Sequence, residues 1–211
     1  MKHTPLGLLA LTVAACAFAT PALAEGWAQS GDWLVRGRVI GVIPDESSSI
    51  SPIGGEAKIN NDYVPELDFT YFFTPNIAAE LILATTKHDA TAANTAGGTF
   101  HAGSTWVLPP TLTLQYHFTD WAWAKPYVGA GINYTIYYDE KAGAAGEMDL
   151  DNSFGLALQA GVDVPIDDKW SWNLDVKKIY TKADAKWPSA GVTANIDLDP
   201  WVIGTGVGYR F

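Results

Sequence analysis

The sequence predicts an all-β fold, an eight-stranded antiparallel transmembrane β-barrel with short periplasmic turns and long extracellular loops. Three observations carry this expectation. Segments of about ten residues alternate apolar and polar side chains with period two, as a pleated strand between two different solvents requires. The connections between them alternate short and long. The apolar face is almost free of charge along every segment, whereas the opposite face carries Arg, Lys, Asp and Glu.

The strands follow in order, delimited by turn residues. Residues 33–42 set Trp33, Val35 and Val39 against Arg36 and Arg38, and residues 64–73 set Leu67, Phe69, Tyr71 and Phe73 against Glu66, Asp68 and Thr70. In 77–86, Ala79, Leu81 and Leu83 oppose Glu80, Ile82 and Ala84; in 106–118, Leu112, Leu114, Tyr116 and Phe118 oppose Thr111, Thr113, Gln115 and His117. Residues 127–138 carry Val128, Ala130, Ile132, Tyr134, Ile136 and Tyr138 against Gly129, Gly131, Asn133 and Thr135. Residues 153–164 place Phe154, Leu156, Leu158, Ala160, Val162 and Val164 on one face, and residues 170–180 do so with Trp172, Leu174 and Val176 against Asn173, Asp175 and Lys177. In 199–211, Trp201, Ile203, Thr205, Val207, Tyr209 and Phe211 oppose Gly204, Gly206, Gly208 and Arg210, and the chain stops on an aromatic, as if inside a sheet. Short connections are expected at 74–76, 119–125 and 165–169, and long loops at 43–63, 87–105, 139–152 and 182–198.

The sign of the alternation decides which face is outside. A water-filled exterior would expose an apolar belt larger than soluble monomers tolerate, so lipid is expected outside and the charges inside. Lipid offers no hydrogen bonds, so the sheet must close. The expected inward charges are four basic and five acidic: Arg36, Arg38, Lys177 and Arg210 with Glu66, Asp68, Glu80, Asp163 and Asp175. In a bore this narrow they are expected to pair across the lumen and fill it before they conduct. Trp33, Tyr71, Phe73, Trp121, Trp123, Trp170, Trp172, Tyr209 and Phe211 fall toward the short-turn end, and Trp106, Tyr134, Tyr138 and Trp201 toward the other, which reads as two interfacial girdles.

Residues 1–24 have the basic start, apolar core and Ala22-Leu23-Ala24 site of a cleaved signal peptide, leaving 25–211 as one barrel domain. Val13-Ala14-Ala15-Cys16 resembles a lipobox, but the Ala-x-Ala site favours ordinary cleavage; Cys16 is the single cysteine, so the mature domain carries no thiol. The formal charge of −10 argues against nucleic acid as a partner. His88, His101 and His117, with Ser104, are the candidates for catalysis, yet no acid is placed by sequence to orient an imidazole, which points away from an enzyme. His88, Asp89 and His101, and the acidic run Asp139, Glu140, Glu147, Asp149 and Asp151, match no defined metal spacing, and no cofactor is expected.

Leu108-Pro109-Pro110-Thr111-Leu112, Pro126-Tyr127-Val128-Gly129-Ala130-Gly131-Ile132-Asn133-Tyr134, and Asp199-Pro200-Trp201-Val202 leading to Gly208-Tyr209-Arg210-Phe211 together resemble the OmpW family of outer-membrane proteins. The resemblance implies a narrow barrel in the Gram-negative outer membrane that lets small hydrophobic solutes cross passively, with a sideways exit through the wall. It also implies contact with outer-membrane lipid and lipopolysaccharide, and an assembly signal at Tyr209 and Phe211 read by the barrel-assembly machinery. The family's bore is described as narrowed by apolar side chains, from which Asp175 and Lys177 depart.

The residues expected to line the route are Ile40, Phe72, Ile82 and Val202, with a lateral opening at Trp106, Pro109 and Pro110, because paired prolines deprive the fourth strand of ladder donors. The rival readings are a non-conducting barrel that presents its loops to envelope or external partners and, more remotely, a lipid-modifying enzyme.

Overall fold

The computed structural model describes residues 27–211 apart from Ala122; the expected signal peptide, with Cys16, lies outside the described residues. Its elements are β1 (Trp33–Ile43), β2 (Ser47–Ser51), β3 (Glu56–Ile59), β4 (Asp62–Phe72), β5 (Ile77–Ala84), β6 (Thr86–Thr95), β7 (Gly98–Leu108), β8 (Thr111–His117), β9 (Lys125–Ala142), β10 (Asp149–Asp151), β11 (Ser153–Pro165), β12 (Trp170–Tyr180), β13 (Lys182–Trp187), β14 (Val192–Asp197) and β15 (Trp201–Arg210).

The wall is a closed eight-stranded antiparallel barrel in the order β1–β4–β5–β8–β9–β11–β12–β15, and β15 pairs back onto β1. Closure leaves none of the eight wall strands as a free edge strand, as a lipid-facing sheet requires. The alternation sets the side chains as the sequence reading expects. Val39, Leu81, Leu114, Ile132, Leu156 and Val207 stand exposed on the outer face, while Arg36, Arg38, Asp68, Glu80 and Asp163 are buried inside.

The aromatic girdles are visible as tilted and edge-to-face ring pairs on the outer face. At the short-turn rim Trp33 meets Tyr71 at 5.0 Å between ring centroids, and Tyr209 bridges Trp170 and Phe211 at 4.9 Å each. Toward the opposite rim Tyr134 packs on Phe154 at 4.6 Å, and Lys178 lies over Trp201. The short connections are tight. In the β11–β12 turn the Asp167 carboxylate accepts the backbone N–H groups of Lys169 and Trp170, which hold it below the usual carboxylate range. This tie is present above that range and is lost as pH falls through the depressed value.

The long connections differ from expectation, because the chain continues as strands well beyond the aromatic girdle. Part of 43–63 forms β2 and β3, 87–105 belongs to β6 and β7, and 182–198 folds into β13 and β14; β10, β13, β14 and β2 make a second sheet above the wall. The physical reason is a reversal of polarity. In 182–197 the buried set is Ala183, Ala185, Trp187, Val192, Ala194 and Ile196, and the exposed set is Lys182, Asp184, Lys186, Thr193 and Asn195. Above the girdle the outer solvent is water, so the apolar face turns inward. The fourth strand also differs: it is split at Pro109-Pro110 into β7 and β8.

Glycine occupies positions where neighbouring strands come too close for a side chain. A Cβ on Gly206 would lie 2.0 Å from the Gly37 carbonyl oxygen and 2.6 Å from Arg38 Cα across the β15–β1 ladder. Gly206→Ala is therefore expected to destabilise the closing seam by about 1–3 kcal/mol. The measurement is the urea midpoint of the barrel refolded in lipid, followed by the mobility of unboiled protein on gels. An unchanged midpoint would contradict the close approach.

Candidate functional site

The bore is built in three levels. At the short-turn end Trp27, Ala28, Leu34, Phe72 and Ala78 form an apolar seal. Phe72 thus points inward but lies beneath the charged layer and does not line the upper cavity, a correction to its expected place on the route. The His117 ring packs between Phe72 and Tyr127 at 4.9 Å from each.

Above the seal lies an ionic layer centred on the two arginines of β1. Arg36 reaches Asp163 on β11 at 2.7 Å, Asp68 on β4 at 3.0 Å and Glu80 on β5 at 3.2 Å. Arg38 pairs with Glu66 at 2.6 Å and Asp68 at 2.8 Å and also bonds Asn173 on β12 at 3.1 Å. Lys177 donates to Asp175 and stands 3.6 Å from Glu66. Neutral groups complete the mesh: the Gln159 amide donates to Glu80 and Asp175 at 2.7 Å each, and the Tyr127 hydroxyl to Asp175 at 2.6 Å. Strands on every side of the lumen are tied together, and the charged side chains of this layer are buried.

Arg210 is a correction. It is not part of this layer; it binds Asp32 at 2.7 Å and the Asp168 carbonyl at the short-turn rim. The inner charge balance is therefore three cations, Arg36, Arg38 and Lys177, against five carboxylates, Glu66, Asp68, Glu80, Asp163 and Asp175.

Above the ionic layer the lumen opens into a chamber with a largely apolar lining. Ile40, Ile82, Ile179 and Val202 line its lower part above Glu66 and Lys177, and Tyr137, Met148, Trp187, Ile196 and Leu198 its upper part. Ile40, Ile82 and Val202 lie where the register places them, facing this space. The upper wall residues were not singled out from sequence, although the alternation of 182–197 carries the signal.

The wall beside the chamber is interrupted. The β5–β8 ladder ends at Ile82–Thr111 and the β6–β7 ladder starts at Thr86–Val107, so residues 83–85 face 108–110 without pairing. On the other side β9 continues, pairing Ile136 with Leu108 and Asn133 with Thr111, with Tyr134 N–H donating to the Pro110 carbonyl. Proline supplies no N–H, so the missing ladder follows from the sequence. Pro109 faces the chamber; Pro110 faces an outer groove with Leu81, Leu112, Ile132 and Tyr134; Asn133 borders both. Trp106 is not at the gap: it stacks on Tyr138 on the outer face, 6.4 Å apart, above Pro110.

The other candidates do not assemble. His88 bonds the Asn60 carbonyl and Thr86, and His117 bonds Gln115, so neither joins a serine and an acid. Among the described residues no group of three or more His, Cys, Asp or Glu is placed to hold a metal ion. Tyr209 and Phe211 lie in the rim girdle.

Removing one arginine strands several buried carboxylates. Arg36→Leu is expected to cost about 3–5 kcal/mol, the usual penalty for breaking a buried pair. Urea unfolding in lipid bilayers checks this, and a loss under about 1 kcal/mol, the scale of a surface pair, would contradict the layer as described.

Comparison with known proteins agrees with this architecture. The model for the OmpW family matches residues 29–211. An uncharacterized outer-membrane protein, y4mB of Sinorhizobium fredii, is 46% identical over 185 residues, covering 85% of this chain and 80% of that one. Outer membrane protein W of Escherichia coli is 36% identical, covering 95% and 99%. The crystal structure of OprG from Pseudomonas aeruginosa superposes with a TM-score of 0.78 at 32% identity, covering 87% and 97%. With the barrel closed, its lipid-facing belt outside and the family match spanning nearly all described residues, the chain belongs to the OmpW family of outer-membrane proteins.

Proposed function

We propose that this barrel takes small, mainly hydrophobic solutes from outside into the apolar chamber and releases them sideways through the gap at residues 108–110 into the outer membrane. One observation carries the reading: the chamber is closed below by ion pairs while its side wall lacks a ladder opposite Pro109 and Pro110. An apolar solute that enters from above meets a charged floor, where desolvating the ion pairs would cost far more than the solute gains. The adjoining outer groove is lined by Leu81, Leu112 and Ile132, a surface that favours hydrocarbon. The same floor argues against aqueous ion conduction through the full bore, the part of the non-conducting alternative that the geometry favours.

The test uses uptake of the fluorescent apolar probe phenylnaphthylamine into vesicles with lipopolysaccharide in the outer leaflet. Pro109→Val/Pro110→Val restores two N–H donors and closes the gap, and Ile82→Trp fills the lower chamber. Both variants are expected to reduce protein-dependent uptake to near the protein-free rate. Loss only with Ile82→Trp would move the exit elsewhere, and undiminished uptake with both variants folded would refute the route.

A further inference from the structure

The chamber is not uniformly apolar. On the β15, β1 and β5 side it presents Val202, Ile40 and Ile82, but Thr111 on β8, Asn133 and Thr135 on β9 and Thr181 between β12 and β13 add a belt of polar side chains. These four side chains are buried, at most 5% exposed. Their hydrogen bonds engage the donors of Asn133, Thr111 and Thr135. The Asn133 amide donates to Thr111 Oγ1 at 2.9 Å and the Pro109 carbonyl at 3.1 Å, and Thr111 donates to that same carbonyl at 3.0 Å. Thr135 donates to Asn133 Oδ1 at 2.7 Å, and the Thr181 and Ser153 hydroxyls lie 3.0 Å apart with either one able to donate. The Thr135 and Thr181 hydroxyls, each with two lone pairs, are the acceptors this belt presents toward the chamber. Such a belt accepts an O–H.

Charge points the same way. The floor beneath has five carboxylates against three cations, and its one ammonium group, Lys177, is already held by Asp175 and Glu66. An anionic headgroup lowered toward it meets net repulsion in a low-dielectric space. A pure hydrocarbon meets no repulsion but leaves the belt's hydroxyl acceptors dry.

We propose that the chamber selects neutral amphiphiles bearing one hydroxyl on a short hydrocarbon chain, with the hydroxyl donating to Thr135 or Thr181 and the chain lying against Ile40, Ile82 and Val202. This rests on the chamber being the solute site and assigns its preferred class. A hydroxyl seated on the belt is adjacent to Asn133 and the Pro109 carbonyl, the boundary between chamber and outer groove.

The test is equilibrium binding of 1-decanol, decane and decanoate to the barrel in lipid nanodiscs, with empty nanodiscs subtracted, for the wild type and for Thr135→Val/Thr181→Val. The double variant keeps side-chain volume and removes the two hydroxyls; unboiled-gel mobility verifies its fold. Decanol is expected to bind about two- to tenfold tighter than decane, the effect of one net hydrogen bond, and decanoate not above the empty discs. In the double variant the decanol-to-decane ratio falls to about one. Equal binding of decanol and decane by the wild type overturns the selectivity and leaves the chamber reading standing, as does a ratio that survives the double substitution. If none of the three binds, the chamber reading falls with it. The wild-type ranking decides the matter even if the variant fails to fold.

Discussion

The structure turns on the guanidinium groups of Arg36 and Arg38, which reach across the lumen from one strand to carboxylates on β4, β5, β11 and β12. Buried charges are tolerated only when paired and hydrogen-bonded, and here each arginine has several partners within 3.2 Å. That pairing closes the lower lumen and links strands far apart in sequence. It also sets the floor of the space above.

A second constraint is the change of outer solvent with height. Between the girdles lipid surrounds the wall, so charge goes in and hydrocarbon out. Beyond the upper girdle water surrounds it, and the alternation inverts in β13 and β14. The apolar chamber is the inward face of that inverted region together with the lumen below it. Plug and chamber follow from one rule, that each face of a strand matches the medium it meets.

Much of this was legible in the sequence. The eight wall strands, their registers and the inward charged set could be read because lipid makes the period-two contrast sharp. The gap at residues 108–110 was legible too, since two prolines cannot serve a ladder. Arg210 was misplaced because alternation gives a side chain's face but not its height, and at the rim it finds Asp32 and not the layer above. Phe72 was misplaced for the same reason. The upper strands were read as loops because the alternation there has the opposite polarity and smaller side chains, with Ala183, Ala185 and Ala194 where Leu or Ile would have stood out. The hydroxyl belt depends on side chains from four separate segments meeting at one level, which spacing along the chain does not encode.

The most direct measurement of the central claim is the ionic current through single barrels inserted in planar bilayers in potassium chloride under applied voltage. A lumen closed by the arginine–carboxylate layer predicts a current indistinguishable from the bare membrane. Stable, protein-dependent conductance steps would show an aqueous path through the layer and contradict the account.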